Sequence, residues 1–221
     1  MPLVSALRVA IVEDQELYLA MLAAVVNAHP TTTVVAAASG ATEARRKILP
    51  GTADVVIMDV ELADGNGVAL GVSLRRRDPE LGILLLSSHD VMDLVLSLPE
   101  DISAGWSYLS KLSSMNAETL IRVLWGTAQG NTILDPALVD KSTARLGSGL
   151  AGLTARQFEV LKLVSQGYSN QATADRLALS VRSVEGHLKG IYDVLKISND
   201  GNVNPRVSAT IAFLRETSRT I

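Results

Sequence analysis

The stretches Asp54–Asp59 (DVVIMD) and Gly82–Ser88 (GILLLSS) set the tightest limit on the fold, because their apolar residues run on without alternating. A strand with one face in water alternates with a period of two. An unbroken apolar run this short belongs to a strand covered on both faces, as in a parallel sheet. Three similar runs flank them, so the strand candidates are Leu7–Val12, Thr33–Ala38, Asp54–Met58, Gly82–Leu86 and Ser107–Leu109. Between and after them lie amphipathic segments: Gln15–Ala28, Ala41–Leu49, Gly67–Arg77, Val91–Leu98 and Asn116–Gln129. Strands alternating with helices predict an open, doubly wound α/β domain on a five-stranded parallel sheet, over residues 1–129.

Residues 130–150 are rich in glycine, serine and threonine and contain Pro136, which reads as a linker with one helical turn after Asp135. Residues 151–221 are helical throughout. Thr154 and Gln157 make a capping box, followed by Phe158, Leu161 and Val164 at helical spacing. Gly167 ends that helix, Ser169 caps a second, and Ser180 caps a third running to about Lys196. Asn204-Pro205 opens a last helix with Val207, Ile211 and Leu214 inward, a stripe that is either core or dimer surface. The second domain is thus a small all-α bundle of four helices.

The chain has no cysteine, which excludes disulfide scaffolds, thiolate zinc sites and cysteine nucleophiles. Its three histidines, His29, His89 and His187, lie far apart and form no metal-binding spacing. Charges interrupt the apolar N-terminal stretch, and the uncharged run Leu17–Ala28 is too short to span a bilayer, so a cytoplasmic protein without membrane contact is expected. Residues 1–150 hold 11 basic and 17 acidic residues, net −6, whereas 151–221 hold nine and six, net +3. That asymmetry suggests two tasks, the second on a polyanion.

In an open parallel sheet, chemistry gathers at the carboxyl ends of the strands. Here those ends carry Glu13-Asp14, Asp59, Ser87-Ser88 and Lys111. Two like charges ~4 Å apart cost about 4 kcal/mol at an effective dielectric near 20. Three converging carboxylates therefore want a hard divalent cation with oxygen ligands, most plausibly Mg²⁺. With it, Asp59 can attack a phosphoryl donor, Lys111 can balance phosphate charge, and the Ser87 hydroxyl can hydrogen-bond a phosphoryl oxygen. Gly65 and Gly67 would give the following loop its turn and let backbone approach the metal. Any one of these residues alone is ordinary, a helix cap or a surface lysine. Four fitting residue types at four of the five strand ends favour function.

The runs VAIVED, VVIMDVELADGNG, ILLLSSHD and GWSYLSK resemble, in order and spacing, the receiver domains of two-component response regulators. The resemblance implies that Asp59 is the phospho-acceptor, that Glu13 and Asp14 bind metal with it, and that the Glu61 backbone carbonyl is a further ligand. It makes Ser87 the switch hydroxyl, Lys111 the phosphate-binding lysine and Tyr108 the aromatic that rotates with Ser87. Two residues depart from the pattern. Ala63 replaces the usual proline, which should loosen the loop, and Ser88 replaces the usual alanine where a phospho-donor enters. Neither removes chemistry.

On a helix over Val181–Lys196, Val184, Leu188, Ile191 and Leu195 share one face, opposite Arg182, Glu185, Gly186, Lys189 and Asp193. A solvated mixed-charge face is the plain reading. Gly186 and Gly190, however, each cost about 1 kcal/mol against alanine, so close approach by a neighbouring helix or by DNA is expected. Residues 153–197 resemble the LuxR-type helix-turn-helix domain, and with the receiver this is the NarL/FixJ arrangement. The resemblance places Glu185, Gly186 and Lys189 at base edges and Arg182, Ser183 and Lys196 nearer phosphates. His187 is structural in that family. Thr173 stands where isoleucine is usual, and its inward hydroxyl needs a partner or costs about 1–3 kcal/mol.

The resemblance implies a DNA-binding transcriptional regulator rather than an enzyme. It would be phosphorylated on Asp59 by a sensor histidine kinase, would dimerise when phosphorylated, and would place paired recognition helices in double-stranded DNA. Two other readings stand beside it. One is an aspartyl-phosphate phosphohydrolase suggested by Asp59-Val60-Glu61, against which the glutamate speaks. The other is a phosphorylation-independent DNA-binding regulator whose receiver-like domain serves only to dimerise.

Overall fold

The five apolar runs become strands β1 (Leu7–Val12), β2 (Thr32–Ala38), β3 (Val55–Asp59), β4 (Gly82–Ser87) and β5 (Trp106–Ser110). They pair in parallel in the order β2-β1-β3-β4-β5. The computed structural model describes residues 6–88, 104–141, 149–197 and 204–217. Every residue of β3 and β4 is buried, as their unbroken apolar runs require, whereas edge strand β2 is mostly half-exposed. The strand order reverses between β1 and β3, and this switch point opens the crevice in which ligands bind in such sheets.

Helices α1 (Glu16–Ala28), α2 (Ala41–Lys47), α3 (Gly67–Arg77) and α5 (Ala117–Ala128) match the amphipathic segments, and a short α4 (Lys111–Ser114) follows β5 directly. The candidate helix Val91–Leu98 lies outside the described residues. Local chemistry starts three of these helices. The Asn66, Ser110 and Asn116 side chains accept from the backbone N–H groups of Ala69, Ser113 and Thr119. The start of α2 is capped from a distance instead: the Asp64 carboxylate accepts from Ala41 N–H (2.6 Å) and Thr42 N–H (2.9 Å). Those bonds hold the Asp64 carboxyl below its usual pKa range.

The described residues divide into two compact units between Asn131 and Thr132. Residues 132–141, within the stretch read as linker, pack inside the second unit. Ile133, Leu134 and Val139 are buried, Leu134 N–H donates to the Ser165 carbonyl (2.8 Å), and α6 (Pro136–Lys141) follows Asp135. The glycine and serine content of 130–150 hid these three apolar anchors.

Helices α7 (Ala155–Ser165), α8 (Asn170–Leu177), α9 (Val181–Val194) and α10 (Pro205–Thr217) complete this unit. The Thr154–Gln157 capping box forms, and the Ser169 and Ser180 side chains accept from Ala172 and Ser183 N–H. Helix α9 ends at Val194, two residues before the expected Lys196, which has a left-handed φ of 54°. On α10 the buried residues are Val207, Ala209, Thr210, Phe213 and Leu214, while Ile211 is only half-buried. Val207 and Leu214 belong to the core, and Phe213, 5.7 Å from the Phe158 ring, fills the place assigned to Ile211. The half-buried Arg206 guanidinium donates to the Tyr168 carbonyl and to Asn170 Oδ1, tying α10 to the start of α8. Among the described residues, no helix is long and apolar enough to cross a membrane.

Candidate functional site

The carboxyl ends of β1, β3, β4 and β5 bring Glu13, Asp59, Ser87 and Lys111 together. β3 and β4 pair Asp59 with Leu86, and β4 and β5 pair Ser87 with Ser110, so Ser87 and Lys111 fall beside Asp59 at one sheet edge. Glu13 is 1% exposed, Asp59 3% and Ser87 0%, while Asp14 is half-buried. Glu13, Asp14 and Asp59 each offer a carboxylate oxygen within 4.8 Å of the others. Lys111 reaches between them: its Nζ donates to Asp59 Oδ2 at 2.9 Å and to Glu13 Oε1 at 3.0 Å.

These contacts set the electrostatics. Burial pushes the Glu13 carboxyl above its ordinary range, and the Lys111 bond returns only part of that shift. Burial alone would lower Lys111, but its bonds to Asp59 and Glu13 outweigh it and raise the ammonium pKa. Glu13 Oε2 is buried and ion-paired with Lys111 Nζ at 2.9 Å. Three carboxylate oxygens within 4.8 Å of one another are a hard-oxygen donor set, and they fit a cation such as Mg²⁺.

The loop after Asp59 differs from expectation. Ala63 keeps the N–H that a proline would lack, and it donates to Asp14 Oδ2 at 2.8 Å. The expected loosening thus has a counterweight, since this N–H ties the loop to the acidic cluster. Asp64, capping α2, holds the same loop from its other side. Gly67 approaches backbone closely: a Cβ there would lie 1.9 Å from the Asp59 carbonyl oxygen. Gly65 faces the Ala41 Cβ, 3.2 Å from where its own would stand. Glu61 is exposed, and its N–H donates to Asp59 Oδ1 at 3.3 Å. Ser88 is exposed beside Ser87, and Tyr108 is buried in β5.

One neighbour of the site carried no signal in the sequence. Tyr18, in the first turn of α1, lies under Lys111, whose Nζ is 4.8 Å from the ring centroid. It reads locally as one more apolar residue of α1, and only the fold brings it to Lys111.

On α9 the inward face is Val184, Leu188 and Ile191, with Leu195 just beyond the helix half-buried. Arg182, Ser183, Glu185, Gly186 and Lys189 are exposed, as is Lys196. The Ser183 hydroxyl lies 2.8 Å from that of the cap residue Ser180. The two glycines separate: a Cβ at Gly190 would meet Gln157 Nε2 at 2.5 Å, whereas one at Gly186 would meet nothing within 4 Å. Gly190 thus serves the α7 crossing, and Gly186 stands open on the outer face. Thr173 is fully buried, and its hydroxyl has no hydrogen-bond partner among the described residues.

Comparison with known proteins gives two family matches. Residues 9–123 match the response regulator receiver domain, and residues 151–203 match the bacterial regulatory proteins of the luxR family. The chain is 29% identical over 210 residues to the DNA-binding transcriptional activator DevR/DosR of Mycobacterium tuberculosis, covering 92% of this chain and 94% of that protein. It is 26% identical over 230 residues to the transcriptional regulatory protein DegU of Brevibacillus brevis, covering 95% and 93%. Among solved structures, the Salmonella typhimurium response regulator RcsB superimposes with a TM-score of 0.52 at 19% identity, over 95% of this chain and 99% of that one, a likeness of fold.

Proposed function

This chain belongs to the response regulators, with a receiver domain followed by a LuxR-type DNA-binding domain, and from that premise we propose that phosphorylation of Asp59 switches its binding to DNA. The observation that carries this reading is the Lys111 ammonium within 3.0 Å of both Asp59 and Glu13 at the edge where Asp14 and Ser87 also end. An Asp59 carboxylate oxygen attacks phosphorus. The bond from phosphorus to the donor's nitrogen or oxygen breaks, and its electron pair leaves with the donor, a kinase imidazole or a small acid such as acetate. Glu13, Asp14 and Asp59, with the Glu61 carbonyl, would hold Mg²⁺, which neutralises charge on the transferring phosphoryl group when bound. Lys111 then pairs with a phosphoryl oxygen, and the Ser87 hydroxyl donates to another.

A sensor histidine kinase supplies the phosphoryl group, and Ser87 and Tyr108 carry the change away from the site as the protein dimerises. In the second domain, Glu185, Gly186 and Lys189 face base edges in the major groove of double-stranded DNA, while Arg182, Ser183 and Lys196 face phosphates. Their common exposure on α9 and just past its end supports this assignment.

Intact mass after incubation with Mg²⁺ and acetyl phosphate tests the switch. One added phosphoryl group in the wild type and none in Asp59→Asn is the expected result. No adduct from acetyl phosphate or from any of a panel of histidine kinases would move the reading to a DNA binder that works without phosphorylation.

A further inference from the structure

Lys111 is held at both ends by groups that have no part in the acidic cluster. The Tyr18 hydroxyl donates to the Lys111 carbonyl oxygen at 3.1 Å and accepts from the Ser114 hydroxyl. Ser114 Oγ also lies 2.8 Å from that carbonyl, and its one proton serves either contact. At the other end of the side chain, Nζ stands 4.8 Å from the centroid of the Tyr18 ring. One tyrosine therefore fixes the backbone from which the lysine springs and also lies beneath its charge. The Lys111 side chain is 13% exposed, so water screens that contact weakly.

We propose that Tyr18 is a positioning residue for Lys111, holding the ammonium in place while its carboxylate partners are engaged by a cation and a phosphoryl group. The proposal rests on the reading of Asp59 as phosphoryl acceptor. Lysine is a point charge on a flexible stem, and its side-chain entropy opposes any single placement. Before reaction, Asp59 and Glu13 restrain the ammonium from two sides. During reaction those oxygens have other work, and the tyrosine ring, which takes up neither metal nor phosphoryl group, remains as a fixed contact. The hydroxyl keeps the ring in register with the lysine by holding the Lys111 carbonyl. Tyr18→Phe retains the ring and loses that anchor, and Tyr18→Leu loses both.

The experiment uses the full chain and measures two quantities: the rate of acetyl phosphate-dependent mass gain at saturating Mg²⁺, and Mg²⁺ affinity by calorimetry. Tyr18→Leu should slow the adduct about tenfold, and Tyr18→Phe should stay within about threefold of wild type, the range of a partly desolvated cation–π contact. Mg²⁺ affinity in Tyr18→Leu should be no weaker than in wild type, because the tyrosine acts through the lysine and not through the ligands. In a Lys111→Met background, Tyr18→Leu should cause no further slowing. A wild-type rate in Tyr18→Leu, weakened Mg²⁺ binding in that variant, or equal slowing in both backgrounds would overturn the proposal. A wild type that takes no phosphoryl group would instead bring down the acceptor reading itself, and that result is seen before any Tyr18 variant is examined.

Discussion

In the sheet unit the side chains that matter chemically are inside: Glu13 and Asp59 are almost wholly buried, with Lys111 between them. In the helical unit the side chains proposed to meet DNA, Arg182, Ser183, Glu185, Lys189 and Lys196, stand in solvent, while the buried hydroxyls of Ser165 and Thr173 have no partner among the described residues. Trp106 Nε1 in the sheet unit is unpartnered too, so buried polarity carries different meanings in different surroundings. Where several charged groups from separate strands converge, as Glu13, Asp14 and Asp59 do, they mark a place that can take a cation. Where a single hydroxyl sits among apolar neighbours, it marks an uncompensated cost of burial. The partners within reach decide which reading applies.

The glycines repeat the contrast, and substituting them gives the largest expected effect. Gly67→Ala drives a Cβ into the Asp59 carbonyl, which is backbone and yields poorly, so unfolding by urea should show a loss of about 3 kcal/mol or more. A wild-type stability would mean that the acceptor loop is not packed as described. Next comes Ala63→Pro, which removes the N–H donated to Asp14. Outer bonds of this kind orient a ligand, so Mg²⁺ affinity by calorimetry should fall about tenfold. Tighter binding would show that the bond competes with the cation rather than preparing Asp14 for it.

Smaller effects belong to the helical unit. Thr173→Val deletes the orphaned hydroxyl at nearly constant volume and should raise the unfolding free energy by about 1 kcal/mol. A loss would reveal a partner for that hydroxyl and erase the contrast between the units. Gly186→Ala should stabilise α9 by up to ~1 kcal/mol, since its Cβ meets open space. If Gly186 faces a base edge, the same substitution weakens DNA binding in a titration at fixed salt. Gain in stability with loss of binding would separate the two demands on one residue.

The sequence made legible whatever depends on neighbours along the chain. The five strands are apparent in their apolar runs, and most helix starts in a serine, threonine or asparagine. The residues of the acidic cluster were likewise legible, because each stands at a strand end. What escaped depends on distant partners. Asp64 caps a helix that begins 23 residues before it, Tyr18 meets Lys111 across 93 residues, and Ile133 and Leu134 lie in a segment whose glycines and serines suggest solvent. Likewise, the sequence could not say that Gly190 makes room for Gln157 while Gly186 makes room for nothing within the protein.

Arg206 bears on how the molecule is made. Its guanidinium, arriving from the last helix, closes hydrogen bonds to Tyr168 and Asn170, and Phe213 covers Phe158 from the same helix. The helix-turn-helix therefore lacks part of its own support until α10 has been synthesised, whereas every residue of the sheet unit has by then left the ribosome. A chain broken off before residue 205 would carry a finished acidic site and an unfinished DNA reader.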